Sequence, residues 1–157
     1  MPKGKRSVRA RDDPEWSAWL NKHNAEVCDS HPELIPLKKK LLGINGDFVV
    51  LYPDEDATKI VKKGELFKGY KPKLKRMNPI QCHSNVAELW SRPEYGKRKC
   101  EIATGYGLTG DDGLWRSHSW LVCEDKKELV ETTVPRKKYF GVRLNKTEAQ
   151  QFLEDNW

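Results

Sequence analysis

Long apolar runs are missing from this chain of 157 residues: none approaches the ~20 residues that a membrane-spanning helix needs, so no spanning segment is expected. The basic N-terminus also lacks the apolar stretch of a secretory signal, which argues for a cytoplasmic, reducing setting. Cysteine is sparse. Cys28, Cys82, Cys100 and Cys123 form no C-x-x-C pair, which argues against a zinc ribbon, and a reducing setting predicts thiols rather than disulfides. No internal repeat and no low-complexity segment is visible beyond a basic N-terminal tail. Apolar residues are only 37% of the chain against 33% charged, so the core must be modest. Six tryptophans can supply much of it, because each aromatic ring buries a large area.

The length sets one domain as the expectation, and charge divides it unevenly. Residues 1–11 carry Lys3, Lys5, Arg6, Arg9 and Arg11 and no acid, as a disordered tail would. Residues 12–58 are acidic, with ten carboxylates against four cations. Residues 59–76 hold eight cations and only Glu65, while residues 77–157 carry twelve charges of each sign. The net +6 therefore resides in the tail and in one connecting segment. The stretch 68–76, with Gly69 and Pro72, reads as a loop. Together with the tail it could meet an acidic partner, nucleic acid or another acidic surface. Lys71, Lys73, Lys75 and Arg76 would carry that contact.

Local patterns predict an α+β chain. Asp13-Pro14-Glu15 reads as a helix start, with Trp16, Trp19, Leu20, His23 and Val27 on one face and an end near Cys28. Residues 33–42, broken by Pro36, suggest an irregular or short helical piece, and Phe48–Tyr52 a short strand. A helix from Gln81 to Ser91 carries Val86, Leu89 and Trp90. Residues 102–108 then alternate large side chains with Ala103, Gly105 and Gly107, which is strand periodicity. A second strand at 117–123 puts His118, Trp120 and Val122 on one face; a third holds Leu129, Glu131 and Thr133, and a fourth Tyr139–Arg143. Thr147-Glu148-Ala149-Gln150 has capping-box form ahead of a last helix. Helix, antiparallel strand meander, helix is an α+β order rather than a parallel βαβ one.

Chemistry concentrates at Cys82, His118 and Glu131. A thiol acts as a nucleophile in its thiolate form, and a helix N-terminus favours the anion. An imidazole can take and return the proton, and a carboxylate on its second nitrogen holds the tautomer. A hairpin centred on the turn at 124–127 sets 118 nearly opposite 131. Gln81 is a candidate oxyanion donor, and Tyr106 and Trp120 are candidate groove residues. Cys28, Cys100 and Cys123 are expected to be structural. His83 lies beside Cys82, but with no further cluster it makes no metal site.

Gln81-Cys82-His83-Ser84-Asn85, Ala103-Thr104-Gly105-Tyr106-Gly107-Leu108, Ser117-His118-Ser119-Trp120 and Leu129-Val130-Glu131-Thr132-Thr133 resemble the core of the papain-like superfamily. The transglutaminase-like branch, with small bacterial and phage proteins of the pattern CHxN, GYA, HAW, DPT, is the nearest in flavour. The resemblance spans about residues 78–133 and keeps the order Cys, His, acid at intervals of 36 and 13 residues. Glu131-Thr132-Thr133 stands where the pattern has Asp-Pro-Thr, and Ser119 where it has Ala. The resemblance implies a helix bearing the nucleophile, packed on an antiparallel sheet, in a single papain-like domain over 12–157 with its catalytic core at 78–143. It implies a thiol hydrolase or acyltransferase acting on amides of a protein or peptide-like substrate, without cofactor or metal, in the cytoplasm or that of a phage host. The alternative is an inactive scaffold of the same fold serving as a basic nucleic-acid- or protein-binding factor.

Overall fold

The computed structural model describes residues 9–156. Residues 1–8 of the expected tail lie outside them. Arg9 and Arg11 do not belong to a free tail: Arg9 grips Asp47 through two bonds of 2.7 and 2.8 Å, Arg11 lies 3.7 Å from the same carboxylate, and Ala10 is buried.

Helix α1 (Pro14–Ser30) starts as its sequence predicts. Asp13 accepts from the amides of Glu15 and Trp16, and Pro14 occupies a first-turn position where no amide proton is needed. Its buried Asn24 pairs with the backbone of Val49 and Leu51, fastening α1 to the extended segment after it. Helix α2 (Leu34–Ile44) is a full helix rather than an irregular piece. Pro36 sits in its first turn, where a missing donor costs nothing, and Leu34, Leu37 and Leu41 are buried. Strand β1 (Phe48–Val49), helix α3 (Ala57–Lys63) and strand β2 (Glu65–Leu66) follow.

The connecting stretch expected to be a loop contains strand β3 (Lys71–Leu74). It runs parallel to β6 (Glu128–Glu131) and every residue of it is exposed. Lys71, Pro72 and Lys73 are residues that keep a sheet edge from pairing with another chain, which gives part of the basic excess a structural role. Helices α4 (Cys82–Trp90) and α5 (Pro93–Lys97) lead into β4 (Glu101–Leu108), β5 (Leu114–Cys123), β6 and β7 (Lys138–Arg143). Helix α6 (Lys146–Asn156) closes the chain. Its capping box is Asn145 with Glu148, each bonding the other's amide, two residues earlier than the sequence pattern suggested.

The sheet order is β2-β7-β4-β5-β6-β3, with β1 also on β5. The sheet is mixed, not purely antiparallel, because β1 and β3 join it in parallel. Nor does β7 extend the meander: it returns to the far edge of β4. The small residues predicted on one face of β4 permit this. Gly105 is opposite Gly141, and the Arg136 side chain lies over Gly107. A Cβ on Gly105 would collide with the Phe140 carbonyl oxygen and come within 2.5 Å of the Gly141 Cα, both backbone atoms. Gly105→Ala should therefore cost on the order of 3 kcal/mol in urea unfolding. Gly96→Ala, where the added methyl meets open space, should be neutral or slightly stabilising.

One sheet face packs on α2, α3 and α4 through a core that includes Leu37, Leu41, Ile60, Val86, Leu89, Tyr106 and Leu121. The other carries a smaller cluster of Phe67, Ala103, Trp120, Val122, Leu129 and Tyr139. One edge of β5 is paired along its length with β4. Its second edge meets β1 at 114–115 and β6 at 121–123, so among the described residues no strand pairs 116–120 on that side. Cys100 and Cys123, one step beyond the Glu101–Val122 pair of the β4–β5 ladder, form a disulfide. This corrects the expectation of free thiols there; Cys28 and Cys82 are the free cysteines.

Candidate functional site

The unpaired stretch of β5 faces the start of α4. His83, the second residue of that helix, bonds the Ser119 hydroxyl at 2.6 Å and lies 3.4 Å from that of Ser117. Ser119 in turn donates to Thr104 at 2.9 Å. Cys82, half-buried as the first residue of α4, precedes His83 at this edge, and the Ser119 amide, one residue after His118, favours its anion. Asn85 anchors this turn of helix by donating to the Asn78 carbonyl and to Thr132 Oγ1.

His118 and Glu131 are fully buried and share a bond of 2.8 Å between Nε2 and Oε1. They are not opposite each other. The ladder pairs Leu121 with Val130, which sets Glu131 across from Trp120 and displaces His118 by two residues along the same face. The tight turn at Glu124–Lys126, closed by left-handed Lys127, moves the hairpin centre one residue beyond the expected place. A diagonal pair lies about 7–8 Å apart at the backbone, so the extra methylene of Glu over Asp suits this register.

Three further donors hold the carboxylate. Thr133 gives its amide and its hydroxyl to Oε2 at 3.0 Å each, and Tyr139 gives its hydroxyl to Oε1 at 2.7 Å. The Arg136 amide donates to Tyr139 Oη at 3.0 Å, tying the 132–137 loop to the same acid. Burial pushes Glu131 up, but the bonds from His118, Thr133 and Tyr139 outweigh it and hold the carboxyl below its ordinary range. Burial dominates at His118 and lowers its pKa against the opposing pull of Glu131. The pair is therefore a neutral imidazole donating from Nε2 to a carboxylate, which leaves Nδ1 as the basic nitrogen. Nδ1 is buried and has no partner among the described residues.

Cys82 departs from the expectation of a resting thiolate. Burial pushes its thiol up, and the Ser119 amide, the Arg136 charge and the His83 amide recover only part of that. The structure thus brings Cys82 to the residue beside His118, but no hydrogen bond joins the sulfur to the imidazole among the described residues.

The remaining candidates divide. Gln81 is exposed and its side chain makes no capping bond. Tyr106 is almost fully buried on the opposite sheet face, where it donates to Asp54 at 2.7 Å. There it helps line a cavity of about 370 Å³ that includes His83 but not Cys82, His118 or Glu131. Trp120 is not a groove residue: it is fully buried, stacked 5.9 Å from the His118 ring and backed by Phe67 and Tyr139. Sequence reasoning missed Ser119, Tyr139 and Arg136 as parts of the site. Thr133 was visible only as a strand position.

Among the described residues no group of three or more His, Cys, Asp or Glu could hold a metal ion, and no helix is long and apolar enough to cross a membrane. No protein-family model matches the chain, and no curated protein or solved structure matches it.

Proposed function

We propose that this protein is a thiol-dependent acyltransferase or hydrolase of papain-like, transglutaminase-like type, with Cys82, His118 and Glu131 as its triad. The observation that carries the reading is the buried His118–Glu131 pair, whose acid is held by three additional bonds while Nδ1 has no partner among the described residues. A buried histidine serving only structure would be expected to have both nitrogens satisfied. Here the free nitrogen belongs to the residue just before Ser119, whose hydroxyl bonds His83, the residue just after Cys82.

The raised thiol and lowered imidazole describe a neutral pair at rest. Attack then proceeds with general-base help. The sulfur forms a bond to the carbonyl carbon as its proton passes to Nδ1, and Glu131 stabilises the imidazolium through Nε2. The C–N or C–O bond of the substrate breaks, the leaving group takes the proton from Nδ1, and a thioester remains on Cys82. Water or an amine cleaves that thioester by the same proton path. Gln81 and the first-turn amides of α4 are the donors available to the developing oxyanion.

p-Nitrophenyl acetate tests the reading. We expect a burst of nitrophenol and an acetyl group that peptide mapping places on Cys82. His118→Ala should slow that acylation about 10²–10⁴-fold near neutral pH. Acetylation elsewhere, or an unchanged rate in His118→Ala, would overturn the assignment.

A further inference from the structure

The face of the sheet that carries His118 and Glu131 also bears a cavity of about 260 Å³. Phe67 and Tyr139 are among its walls, and its charged lining residues are Lys68, Arg136, Lys137 and Lys138, with no carboxylate. The ion pairs among the described residues engage other cations, such as Arg9, Arg98 and Arg143, and none of these four. Glu124, which Tyr70 contacts at this corner, is already engaged by Lys127 and Arg143.

Two buried donors in this region have no acceptor. Arg136 Nε, on a cavity-lining side chain, is buried and unpartnered among the described residues. So is Nε1 of Trp120, a fully buried ring packed directly against the Phe67 and Tyr139 walls. Unsatisfied buried donors are costly, and four unpaired cations around one cavity repel each other. The Arg136 donor and the clustered charge are relieved by the same thing, a negatively charged, acceptor-rich group, while Trp120, behind the Phe67 and Tyr139 walls, is placed to report its arrival.

We infer that this cavity is an oxyanion-binding subsite, which seats a carboxylate or phosphate group of the acyl substrate beside the triad. Arg136 is the link. It lines the cavity, and its amide bonds the Tyr139 hydroxyl that holds Glu131. An anion seated here would therefore share the Tyr139 wall with the acid of the triad. The role in substrate selection rests on the acyl-transfer reading; the anion site itself does not.

The test has two arms. In the first, Cys82 acylation by p-nitrophenyl benzoate is compared with acylation by mono-p-nitrophenyl terephthalate, whose para-carboxylate cannot reach its own ester. The carboxylate-bearing ester should react on the order of tenfold faster, as a charge-assisted contact implies. The advantage should shrink with rising salt and largely vanish in Arg136→Gln. Equal rates for the two esters overturn the selection role. In the second arm, Cys82→Ser protein labelled with ¹⁵N is titrated with succinate and with inorganic phosphate at constant ionic strength, and the Trp120 indole signal is followed. A saturable shift is expected, absent with chloride and weakened in Lys68→Gln/Lys137→Gln, whose exposed positions leave the fold intact. Comparison of the two titrants separates carboxylate from phosphate. No shift with either overturns the subsite. If neither ester acylates Cys82, the acyl-transfer reading fails alone, and the indole titration still decides the anion site.

Discussion

Glu131→Ala is expected to lose about 4 kcal/mol of stability in urea unfolding, because it strands several buried donors at roughly 1–3 kcal/mol each before compensation by water. His118 Nε2, the Tyr139 hydroxyl and both Thr133 donors all end on this carboxylate. Glu131→Gln keeps the volume and one acceptor but turns an amide NH₂ toward donors, so it should fall between the parent and Glu131→Ala. The same group shapes the acid response. Glu131 is held below its ordinary range in the fold, so its stabilisation is present above the unfolded carboxylate pKa and disappears as pH falls through the folded value. His118 and His83 are both lowered by burial. The unfolded chain protonates these imidazoles first, so stability should already decline below about pH 6.5. A thermal midpoint series should thus show a plateau above neutrality, a shallow decline from the imidazoles, and a steeper loss in the carboxylate range. Glu131→Gln should soften the last step, and His118→Gln should diminish the first. An unaltered first step in His118→Gln would show that His118 is not buried as the neutral base.

The acid response depends on a pair that was legible in the sequence by type and only partly by geometry. Alternation put His118 and Trp120 on one face, and Leu129 and Glu131 on one face, and the structure keeps both relations. The register was missed by two because it depends on how many residues the turn consumes. Lys127 adopts φ 51°, a left-handed conformation that nothing about lysine advertises. Strand β3 was illegible for a different reason. Lys-Pro-Lys has no strand propensity, and the segment is extended because the outer edge of β6 offers it a parallel partner. Tyr139 reaches the acid from the start of a strand, and Arg136 reaches Tyr139 from the loop before it, contacts that local pattern does not encode. The helix position of Cys82 was readable, but the sign of its pKa shift was not. That sign is set by tertiary burial, which overrides the contribution of the first-turn amides.

The disulfide shows most plainly what a register adds. Cys100 and Cys123 are 23 residues apart and belong to no motif; they meet because the β4–β5 ladder, continued one step past Glu101 and Val122, sets them face to face. The bond ties the open end of the longest hairpin, beside the 3-10 turn from which β6 departs toward Glu131. Closing a loop of that length removes roughly 3 kcal/mol of unfolded-chain entropy on the chain-entropy account. For a domain of this size a loss of that order corresponds to a fall of about 6–12 °C in thermal midpoint. Cys100→Ala/Cys123→Ala should show that fall, and reductant should produce it in the parent but not in the double variant. Cys82 and Cys28 remain free in both proteins, so acetylation of Cys82 provides an internal reference. At temperatures where the double variant is fully folded, its burst with p-nitrophenyl acetate should match the parent's. The disulfide clamps the far end of β5, whereas His118 is held by the β4 ladder and by Glu131. A burst that falls as steeply as the stability would instead mean that the clamp sets the β5–β6 register, and with it the reach of Glu131 to the imidazole.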